Sequence, residues 1–498
     1  MRLGDIIENV PYRLTAGNSD RELIPGDIEI TSLCNDSRKV SEGCLFICVK
    51  GANMDSHDLA AQAAEAGAAA VVTEHDIELP EGCEIPVCRV DDTRSAMARF
   101  AAAFYGHPAE KLRTIGITGT KGKTTSTYLI RHMLENAGYK TGLIGTIEMI
   151  VGDKHIPAGN TTPESILLQE TLKKMVDEDC AAVVMEVSSQ ALMLHRTDGF
   201  TFDIGVFTNI EEDHIGPNEH KDFDDYLHCK SLLFRQCRTG IANIDDKHFE
   251  QVMEGHTCEL ITYGFDKKAD YRASDPMLIK KAGELGVLFT ISGRTDMKAE
   301  FAMPGTFSVY NALCSLAVAK CFDCDDLQIE DAFKKVKVRG RIEMIPVSPD
   351  YTLLIDYAHN AMALESLLTT LKEYRPNRLI TLFGCGGNRS KTRRFQMGEV
   401  SGKLSDLTVV TSDNPRFEDP MAIIKDIETG LAKTAGSYVE IPDRREAIKY
   451  CIENGEPGDI IVLAGKGHED YQEIEGVKYP MDERDLIRDI LDELREEG

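Results

Sequence analysis

No apolar run in this sequence approaches the roughly 20 residues that a membrane-spanning helix needs. Residues 1–8 also lack a basic region followed by an apolar core, which is the pattern of a signal peptide. These two absences argue against a membrane protein. We therefore expect a cytoplasmic protein that does not insert into membranes.

Basic residues are scarce relative to acidic ones. The chain has 56 Lys and Arg against 83 Asp and Glu, which gives a net charge of −27. Such a chain repels nucleic acids and anionic membrane surfaces, so we expect no nucleic-acid partner. An anionic small molecule could bind only where a few cations are gathered locally.

The 14 cysteines lack the paired spacing of a complete zinc site. Cys321 and Cys324 have metal-like spacing, but no second pair accompanies them. Others, such as Cys44 and Cys48, lie among apolar neighbours. The pattern indicates reduced thiols of a protein core in a reducing compartment.

No repeat or low-complexity linker interrupts the 498 residues, a length that exceeds one ordinary core. We predict three α/β domains, at residues 1–90, 91–337 and 338–498. From residue 112 strands alternate with helices, and this alternation restarts after residue 338, as in mostly parallel sheets. Residues 259–302 are predicted to be irregular, with short β-like runs that form a peripheral sheet. The predicted strands are 44–49, 68–72, 112–117, 142–150, 181–186, 203–208, 352–355, 379–383, 407–411 and 460–464, and the predicted helices are 59–66, 95–105, 126–135, 164–176, 223–234 and 308–321.

One glycine-rich turn stands between a predicted strand and a predicted helix. It has the sequence Gly119-Thr120-Lys121-Gly122-Lys123-Thr124-Thr125. Glycines let backbone N–H groups approach an anion, and the start of a helix adds a partial positive charge. Lys123 would reach the β- and γ-phosphates of a nucleotide, and Thr124 would bind its magnesium ion. The general phosphate-loop pattern has glycine where Ile117 stands here, but an ordinary βα turn would not explain Gly-Lys-Thr-Thr at a helix start.

Three further polar residues follow apolar runs. Glu186 ends a predicted buried strand, where a carboxylate can bind magnesium directly or through water, or can simply face solvent. His214 follows the next strand and is either a second metal ligand or a structural histidine. Lys230 has apolar neighbours, yet its local sequence alone favours a solvated lysine.

Taken together, these residues resemble the Mur ligase family over essentially the whole chain, and within it the branch that adds the third amino acid to a peptidoglycan precursor. Each motif is weak by itself, but their order and spacing are specific. The motifs are Asp36-Ser37-Arg38, Asp55-Ser56-His57, residues 119–125, Asn160-Thr161-Thr162-Pro163, Glu186-Val187-Ser188-Ser189, Thr208-Asn209, Asp213-His214, Lys230, Gly340-Arg341, Asp356-Tyr357-Ala358-His359, Phe383-Gly384-Cys385-Gly386-Gly387, Asp413-Asn414-Pro415-Arg416 and Gly465-Lys466-Gly467-His468-Glu469.

The resemblance implies a three-domain architecture, with a central phosphate-loop ATPase domain built on a parallel sheet and a Rossmann-like C-terminal domain. It implies ATP-dependent amide formation through an acyl phosphate, on the D-glutamate side-chain carboxylate of UDP-N-acetylmuramoyl-L-Ala-D-Glu. Catalysis would involve Lys123, Glu186, His214 and Lys230. Two Mg²⁺ ions would be bound, one by Thr124 and Glu186 and the other by His214, with support from Lys230 carrying a CO₂-derived carbamate.

The resemblance also assigns binding residues for the substrates. Residues 119–125, Arg341 and His359 would bind ATP. Ser37 and the turn at residues 51–54 would bind the uridine end, and Asn160, Thr161, Thr162, Ser188 and Arg196 the muramoyl-peptide. The sequence departs from the family at Ser56, usually glycine, and at Leu194, often glutamine, which puts the contact of that glutamine in doubt.

The choice of amino acid would rest on the C-terminal domain. Asp413-Asn414-Pro415-Arg416 is similar to the version associated with meso-diaminopimelate, whose distal carboxylate an arginine can bind with two hydrogen bonds. Arg389, Gly465 and Glu469 would complete this pocket. Arg416 as a solvated loop residue is the alternative.

Several functions remain open at this point. The nearest is the same reaction with L-lysine or another diamino acid. A folylpolyglutamate synthetase would not explain residues 413–416 or the first domain, and a phosphate-loop NTPase switch acting on a protein partner would hydrolyse ATP without needing an amino acid. A non-catalytic precursor-binding protein would have no need of Lys123, Glu186, His214 and Lys230. We expect a monomer that uses only small-molecule substrates.

Overall fold

The computed structural model describes residues 1–17, 21–51, 54–216, 219–281 and 283–497. The chain divides into two compact units, one of Met1–Asp270 with Cys314–Gln328 and the other of Tyr271–Leu313 with Ile329–Gly498. Across these described ranges, no helix has the length and apolar character to cross a bilayer. All 14 cysteines are free thiols, and most of them are buried.

The first unit begins with a five-stranded sheet in the order β1-β5-β4-β3-β2. Its core includes Leu45, Ile47, Val72 and Phe100, all fully buried. The predicted strand at 44–49 and the predicted helices at 59–66 and 95–105 are present with slightly different ends. The elements are α1 Leu3–Ile7, β1 Arg13–Ala16, β2 Ser32–Cys34, β3 Cys44–Ile47, α2 Ala60–Glu65, β4 Ala70–Thr73, β5 Pro86–Arg89 and α3 Thr93–Phe104.

The rest of the first unit is built on a mostly parallel sheet with strand order β13-β12-β11-β6-β10-β7-β8-β9. Strand β6 is central and pairs in parallel with both β10 and β11. The carboxyl ends of these three strands therefore meet at one edge, where ligands of open α/β sheets bind. The elements are β6 Arg113–Thr118, α4 Lys123–Asn136, β7 Thr141–Ile144, β8 Glu148–Val151, β9 Lys154–Pro157, α5 Ser165–Asp177, β10 Ala182–Glu186, α6 Ser189–Met193, β11 Phe202–Phe207, α7 Phe223–Ser231, β12 Cys237–Asn243, α8 Phe249–Val252 and β13 Glu259–Gly264.

The prediction of a single strand at 142–150 is wrong. The chain instead forms two antiparallel strands, β7 and β8, and turns at Gly145. A Cβ atom at Gly145 would lie 2.6 Å from Glu186 Oε1, so the turn depends on glycine and brings the backbone up to that carboxylate. The helix predicted at 223–234 is also shorter than expected, because α7 ends at Ser231 and a 3₁₀ turn, Leu232–Arg235, follows.

The second unit contains an antiparallel group, β14-β15-β16, and a mainly parallel sheet in the order β17-β18-β22-β19-β20-β21. Strands β23 and β24 pair separately as a hairpin. Helices α9 and α10 cross the boundaries of the two units. The elements are β14 Tyr271–Lys281, β15 Glu284–Gly293, β16 Met297–Phe301, α9 Thr306–Cys321, α10 Asp326–Lys335, β17 Glu343–Ile345, β18 Thr352–Asp356, α11 Ala361–Glu373, β19 Leu379–Phe383, α12 Lys391–Leu404, β20 Leu407–Val410, α13 Pro420–Leu431, β21 Ser437–Glu440, α14 Arg444–Glu453, β22 Ile460–Ala464, β23 Tyr471–Ile474, β24 Val477–Pro480 and α15 Glu483–Glu497.

The β-like runs predicted at 259–302 are confirmed as strands, but the segment is more regular than predicted. Strands β14 and β15 are the longest in their group and pair along most of their length, with a register shift between Ser274 and Met277. Asp275 has a positive φ of 53° there, and proline follows it. This bulge interrupts the alternation of apolar and polar residues on which the sequence-based prediction depends.

Helices α12 and α13 pack against each other through glycines. A Cβ atom at Gly398 would lie 2.2 Å from the carbonyl oxygen of Ile427, and one at Gly430 would lie 2.0 Å from that of Phe395. The two backbones are therefore in direct contact. α12 begins just after Arg389, and α13 begins just after the loop that carries Arg416.

Candidate active site

The predicted phosphate loop lies at the carboxyl end of β6. Gly119 has a φ of 151°, and a Cβ atom there would lie 1.9 Å from Thr208 Oγ1. Gly122, with a φ of 85°, immediately precedes the first residue of α4. Both positions require glycine. At Gly119 the backbone lies against Thr208, and at Gly122 the backbone is left-handed.

The end of the neighbouring strand β11 holds this loop. Asn209 accepts a hydrogen bond from the Thr120 N–H on its backbone oxygen, at 2.9 Å, and one from the Lys121 N–H on its side-chain oxygen, also at 2.9 Å. The Thr208 hydroxyl donates to the Lys121 carbonyl oxygen at 2.7 Å. The shape of the loop is thus fixed by the chain after β11 as well as by its own glycines.

Two lysine amines donate to one oxygen atom of the loop. Lys123 Nζ lies 2.7 Å and Lys230 Nζ 3.0 Å from the carbonyl oxygen of Gly119. The Lys230 side chain is only 2% exposed, and its Nζ lies 4.5 Å from the centre of the Tyr226 ring. Burial, together with the positive charge of Lys123, lowers the pKa of Lys230 well below its ordinary value.

Glu186 lies at the end of β10 and is 1% exposed. Its Oε1 accepts a hydrogen bond from the Thr146 N–H at 2.8 Å, and its Oε2 accepts one from the Thr146 hydroxyl at 3.1 Å. These two bonds and the adjacent Gly145 fix the direction of the carboxylate.

Thr124 and Glu186 are predicted to bind magnesium. The edge of the sheet on which they lie is chemically suited to this ion. Mg²⁺ prefers oxygen ligands, and Thr124 is buried at the first turn of α4. The buried Thr118 hydroxyl has no hydrogen-bond partner among the described residues. The edge therefore presents a carboxylate and hydroxyl oxygens beside the phosphate loop.

His214 lies in the chain segment that follows β11. It is exposed, has a φ of 55°, and its Nδ1 lies 3.1 Å from Glu219 Oε1. Its ring centre is 6.1 Å from that of Tyr226, the residue whose ring also approaches Lys230. Tyr226 is thus a neighbour of both His214 and Lys230, and its hydroxyl lies 3.0 Å from the Thr120 hydroxyl.

Most residues predicted to bind the muramoyl-peptide form one network around Thr162. The Thr162 hydroxyl donates to the Glu186 carbonyl oxygen at 2.8 Å and accepts from the Ser188 N–H at 3.0 Å. Arg196 Nη1 donates to the Thr162 carbonyl oxygen at 2.9 Å, and Thr161 bonds Thr146 at 3.1 Å between hydroxyls. The structure therefore brings Thr161, Thr162, Ser188 and Arg196 together beside Glu186. Asn160 is exposed at the start of this segment.

The residues predicted for the uridine end belong to the N-terminal sheet region. Ser37 begins a 3₁₀ turn, Ser37–Lys39. Within the predicted turn at 51–54, Ala52 and Asn53 lie outside the described residues. Ser56, where the family usually has glycine, forms two bonds with Val49, because its hydroxyl accepts from the Val49 N–H at 2.6 Å and donates to the Val49 carbonyl oxygen at 3.0 Å.

In the second unit, the residues predicted to bind the amino acid lie in loops after β19, β20 and β22. Asn414 donates through Nδ2 to Glu469 Oε2 at 2.9 Å. Gly465 has a φ of 107°, and a Cβ atom there would lie 3.2 Å from Asp413 Oδ2. Asp413, Asn414 and Pro415 are buried. The three strand ends thus bring these residues to one edge of the sheet.

Arg416 is fixed beside this group. Its Nε donates to Glu473 Oε2 at 3.0 Å and its Nη1 to the Gly387 carbonyl oxygen at 2.7 Å. Arg416 has a φ of 53°, and its side chain is 22% exposed. Arg389 is exposed and makes no hydrogen bond or ion pair with any residue that the structure describes.

Arg341 and His359 belong to the second unit and meet at Tyr357. Arg341 Cζ lies 4.8 Å from the centre of the Tyr357 ring. The His359 and His468 rings each have their centres 4.6 Å from it. This cluster of a cation and flat rings offers surfaces on which an aromatic base could stack.

Models of three protein domains match this chain. They are the Mur ligase family catalytic domain at residues 29–105, the Mur ligase middle domain at 117–319 and the Mur ligase glutamate ligase domain at 340–467. The chain belongs to the Mur ligase family.

Named relatives from this family align with the chain over essentially its full length. A UDP-N-acetylmuramoyl-L-alanyl-D-glutamate--2,6-diaminopimelate ligase of Caldanaerobacter subterraneus subsp. tengcongensis is 42% identical, with 99% of each chain covered. One from Clostridium acetobutylicum is also 42% identical, with 99% of this chain and 100% of the relative covered. A solved structure of a ligase with the same name matches with a TM-score of 0.73 at 28% identity, covering 99% of both chains. This Mur ligase therefore has the three-domain α/β fold that was predicted.

Three side chains that the structure of this Mur ligase places at the two sites were not predicted from the sequence, and a fourth, Lys466, was noted only as part of a motif. Thr146 bonds Glu186, the Tyr226 ring lies near both Lys230 and His214, and Glu473 pairs with Arg416. Lys466 is fully buried beside Asn414 and Glu469. Of these four, only Lys466 carried a usable signal in the sequence, because a lysine flanked by two glycines directly after an apolar strand is a poor candidate for a solvated residue.

Proposed function

We propose that this Mur ligase joins meso-diaminopimelate to the D-glutamate side-chain carboxylate of UDP-N-acetylmuramoyl-L-Ala-D-Glu, with conversion of ATP to ADP and phosphate. The names of the two 42% identical relatives support this reaction, because each relative aligns with the chain from end to end. The product would be a precursor of peptidoglycan, needed for the cell wall and hence for cell shape and division.

The electrostatics of the phosphate loop support an acyl-phosphate route. A carboxylate must approach the γ-phosphate, and one like-charge contact near 4 Å costs about 4 kcal/mol at an effective dielectric of about 20. Lys123 is placed to offset this repulsion, since its Nζ lies on the loop itself. Mg²⁺ bound by Thr124 and Glu186, and a second ion bound by His214, would neutralise further charge on the phosphates.

The burial of Lys230 supports its modification by CO₂. The ammonium first releases one proton to give the neutral amine. This amine attacks the carbon of CO₂, so that the N–C bond forms as one C=O π bond breaks, and a second proton leaves to solvent to give the carbamate anion. A lysine with a strongly lowered pKa supplies the neutral amine. We propose that the carbamate supports the second Mg²⁺ ion from its position beneath the loop.

The network around Thr162 would hold the muramoyl-peptide next to Glu186, with Asn160 and Arg196 at its ends. Ser37 would contact the uridine end, and Arg341 and His359 would contact ATP. We further propose that the enzyme works in the cytoplasm as a monomer.

The observation that carries the choice of amino acid is the fixed geometry of Arg416. Its Nε donates a hydrogen bond to Glu473 and its Nη1 donates one to Gly387, while its Nη2 donates none to the described residues. A pre-positioned guanidinium suits the distal carboxylate of diaminopimelate, which L-lysine lacks. Asp413, Asn414, Pro415, Gly465 and Glu469 would contact the other polar groups of the amino acid, and exposed Arg389 would close the pocket.

The deciding experiment measures phosphate release from ATP with UDP-N-acetylmuramoyl-L-Ala-D-Glu present. Three parallel reactions contain meso-diaminopimelate, L-lysine or no amino acid, and the product mass is determined. We expect release to require diaminopimelate and the product to gain its mass. Stimulation by L-lysine alone would keep the ligase and reject the role of Arg416, whereas turnover indifferent to amino acids would indicate an NTPase.

A further inference from the structure

Lys466 is a buried cation at the edge of the proposed amino-acid site. It follows β22 by two residues, and its side chain is 0% exposed. Its Nζ donates to Asn414 Oδ1 at 3.0 Å, to Glu469 Oε2 at 2.8 Å and to the Tyr471 carbonyl oxygen. A lysine ammonium has three N–H donors, so these three acceptors saturate it.

The first of these bonds determines the orientation of the Asn414 amide. Asn414 Oδ1 accepts from Lys466 Nζ and from the Glu473 N–H, at 3.0 and 2.9 Å. Both partners are donors only, so reversing the amide would place its NH₂ group against two N–H groups. Nδ2 must therefore point towards Glu469, where it donates at 2.9 Å and keeps its second N–H for another partner.

The second bond fixes the Glu469 carboxylate. Its Oε2 accepts from both Lys466 and Asn414. Its Oε1 accepts no hydrogen bond from the described residues, and the side chain is 17% exposed. One carboxylate oxygen is thus anchored, and the other is left without a hydrogen bond from the described residues. An ammonium group is the chemical partner that such an oxygen would bind most strongly.

The third bond attaches the β23 strand to the same point. Lys466 holds the Tyr471 carbonyl oxygen at the start of β23, and the Glu473 N–H on that strand bonds Asn414. The Glu473 side chain in turn fixes Arg416 at 3.0 Å. Through these contacts, one amine connects Asn414 and Glu469, which could bind an ammonium group, with Arg416, which is proposed to bind the distal carboxylate.

We propose that Lys466 is a positioning residue for diamino-acid selection: it sets the Asn414 amide, the free Glu469 oxygen and the strand behind Arg416 at one spacing. The substrate class that fits is a diamino acid with both an ammonium group and a carboxylate at its distal end, as in meso-diaminopimelate and unlike L-lysine. The inference rests on the proposed function and adds to it the residue that sets the distance between the two charged contacts. Lys466 itself has no donor left for the substrate.

The test replaces Lys466 with methionine, which keeps the length of the side chain and removes every donor. KM is measured separately for meso-diaminopimelate, ATP and the UDP-linked dipeptide, together with kcat for L-lysine. We expect the KM for diaminopimelate to rise about 10- to 100-fold, as for the loss of one or two charge-assisted hydrogen bonds. The KM values for ATP and the dipeptide should change less than about threefold, and discrimination against L-lysine should fall.

Lys478→Met is the matched control. Lys478 lies on β24, the partner of β23 in the hairpin, is exposed, and has its Nζ 3.9 Å from the centre of the Tyr471 ring. It has no contact with Asn414 or Glu469 in the described residues. All three KM values should stay at the wild-type level in this variant. Equal rises of all three KM values in Lys466→Met would overturn the positioning role and indicate a general structural effect.

The Lys466→Arg variant keeps the proposal testable if Lys466→Met does not fold. Arginine keeps the positive charge and several N–H donors but presents them as a planar fork, so part of the diaminopimelate affinity should return. A thermal melt of each variant separates folding from selection. Wild-type KM for diaminopimelate in folded Lys466→Met would refute the proposal, as would equal rises of all three KM values in folded Lys466→Arg. Failure of the wild-type enzyme to need any amino acid would instead refute the proposed function, and the two failures are thereby distinguished.

Discussion

Lys123 and Lys230 donate hydrogen bonds to the same carbonyl oxygen, that of Gly119, from 2.7 and 3.0 Å. Two charged amines so close together would repel each other, and only Lys230 is almost completely buried. The electrostatic repulsion between the two amines is therefore lowest when Lys123 is charged and Lys230 is neutral. Burial and the charge of Lys123 thus both lower the pKa of Lys230 and favour its neutral form beside the phosphate loop.

We predict that Lys230→Met abolishes ligation but does not destabilise the protein. Phosphate release should fall about 100-fold or more, as for loss of a group that supports a metal site, and added bicarbonate should not restore it. The variant should melt at the same or a higher temperature at pH 7, because a buried amine has been removed. Full activity in the variant would exclude the carbamate.

The pH dependence of stability tests the neutral state of Lys230 directly. Its folded pKa is lowered, so between that value and the unfolded value of about 10.4 the unfolded chain binds one more proton, and stability rises with pH. In CO₂-free buffer, wild type should therefore gain stability relative to Lys230→Met from pH 7 to 9, by at most about 1.4 kcal/mol per pH unit. Parallel stability curves would mean that Lys230 stays protonated.

We predict that Gly119→Ala disrupts the phosphate loop. The added Cβ would meet Thr208 Oγ1 at 1.9 Å, and the backbone there has a φ that alanine rarely adopts. Nucleotide affinity, measured by calorimetry with ADP and Mg²⁺, should fall at least about tenfold. Gly26→Ala is the control, because a Cβ atom at Gly26 has no atom within 4 Å. Unchanged ADP affinity in Gly119→Ala would contradict the assignment of the loop.

We predict that Thr146→Val weakens the binding of magnesium, although it removes none of the proposed magnesium ligands. The change deletes the hydroxyl that bonds Glu186 Oε2 and keeps the N–H that bonds Oε1. The Mg²⁺ concentration for half-maximal activity should rise about tenfold, as is typical for a residue that orients a metal ligand. Thr171→Val, a buried threonine that bonds only within α5 and to Met149, should leave this concentration unchanged. An identical magnesium response in both variants would argue against Glu186 as a ligand.

We predict that Arg416→Ala reduces the affinity for diaminopimelate far more than that for ATP. Loss of a guanidinium that binds a carboxylate should raise the diaminopimelate KM about 10- to 100-fold, and the ATP KM should change less than threefold. Arg488→Ala removes an exposed arginine of α15 that pairs only with nearby acids, and it serves as the control. A diaminopimelate KM like that of wild type would reject the assigned role of Arg416.

The sequence could predict elements whose signals are local. The apolar run before Gly119, the glycines and the helix start fall within a few residues of each other, and the structure places β6 and α4 there with nearly the expected bounds. The strands at 379–383 and 460–464 have unbroken apolar runs and match the structure end to end. Short-range patterns of this kind need no knowledge of distant contacts.

The failures arise where a distant residue decides the local structure. The strand expected at 142–150 breaks at Gly145, and the backbone there lies against Glu186, 41 positions later in the chain. Likewise, the local sequence around Lys230 indicates solvent exposure, whereas its amine lies beneath Gly119. Only resemblance to a family identified Lys230 as a candidate, and the roles assigned to it and to His214 stay predictions.

The glycine contact between α12 and α13 limits the sequence changes that the amino-acid site can tolerate. Any side chain at Gly398 or Gly430 would push apart two helices whose first turns follow directly on Arg389 and on the loop of Arg416. Such a substitution lies outside the pocket, yet it would displace both arginines at once. We expect a mutational scan to find this helix pair as intolerant as the pocket itself, so that evolution of a new amino-acid preference is confined to the loops and excluded from their helical support.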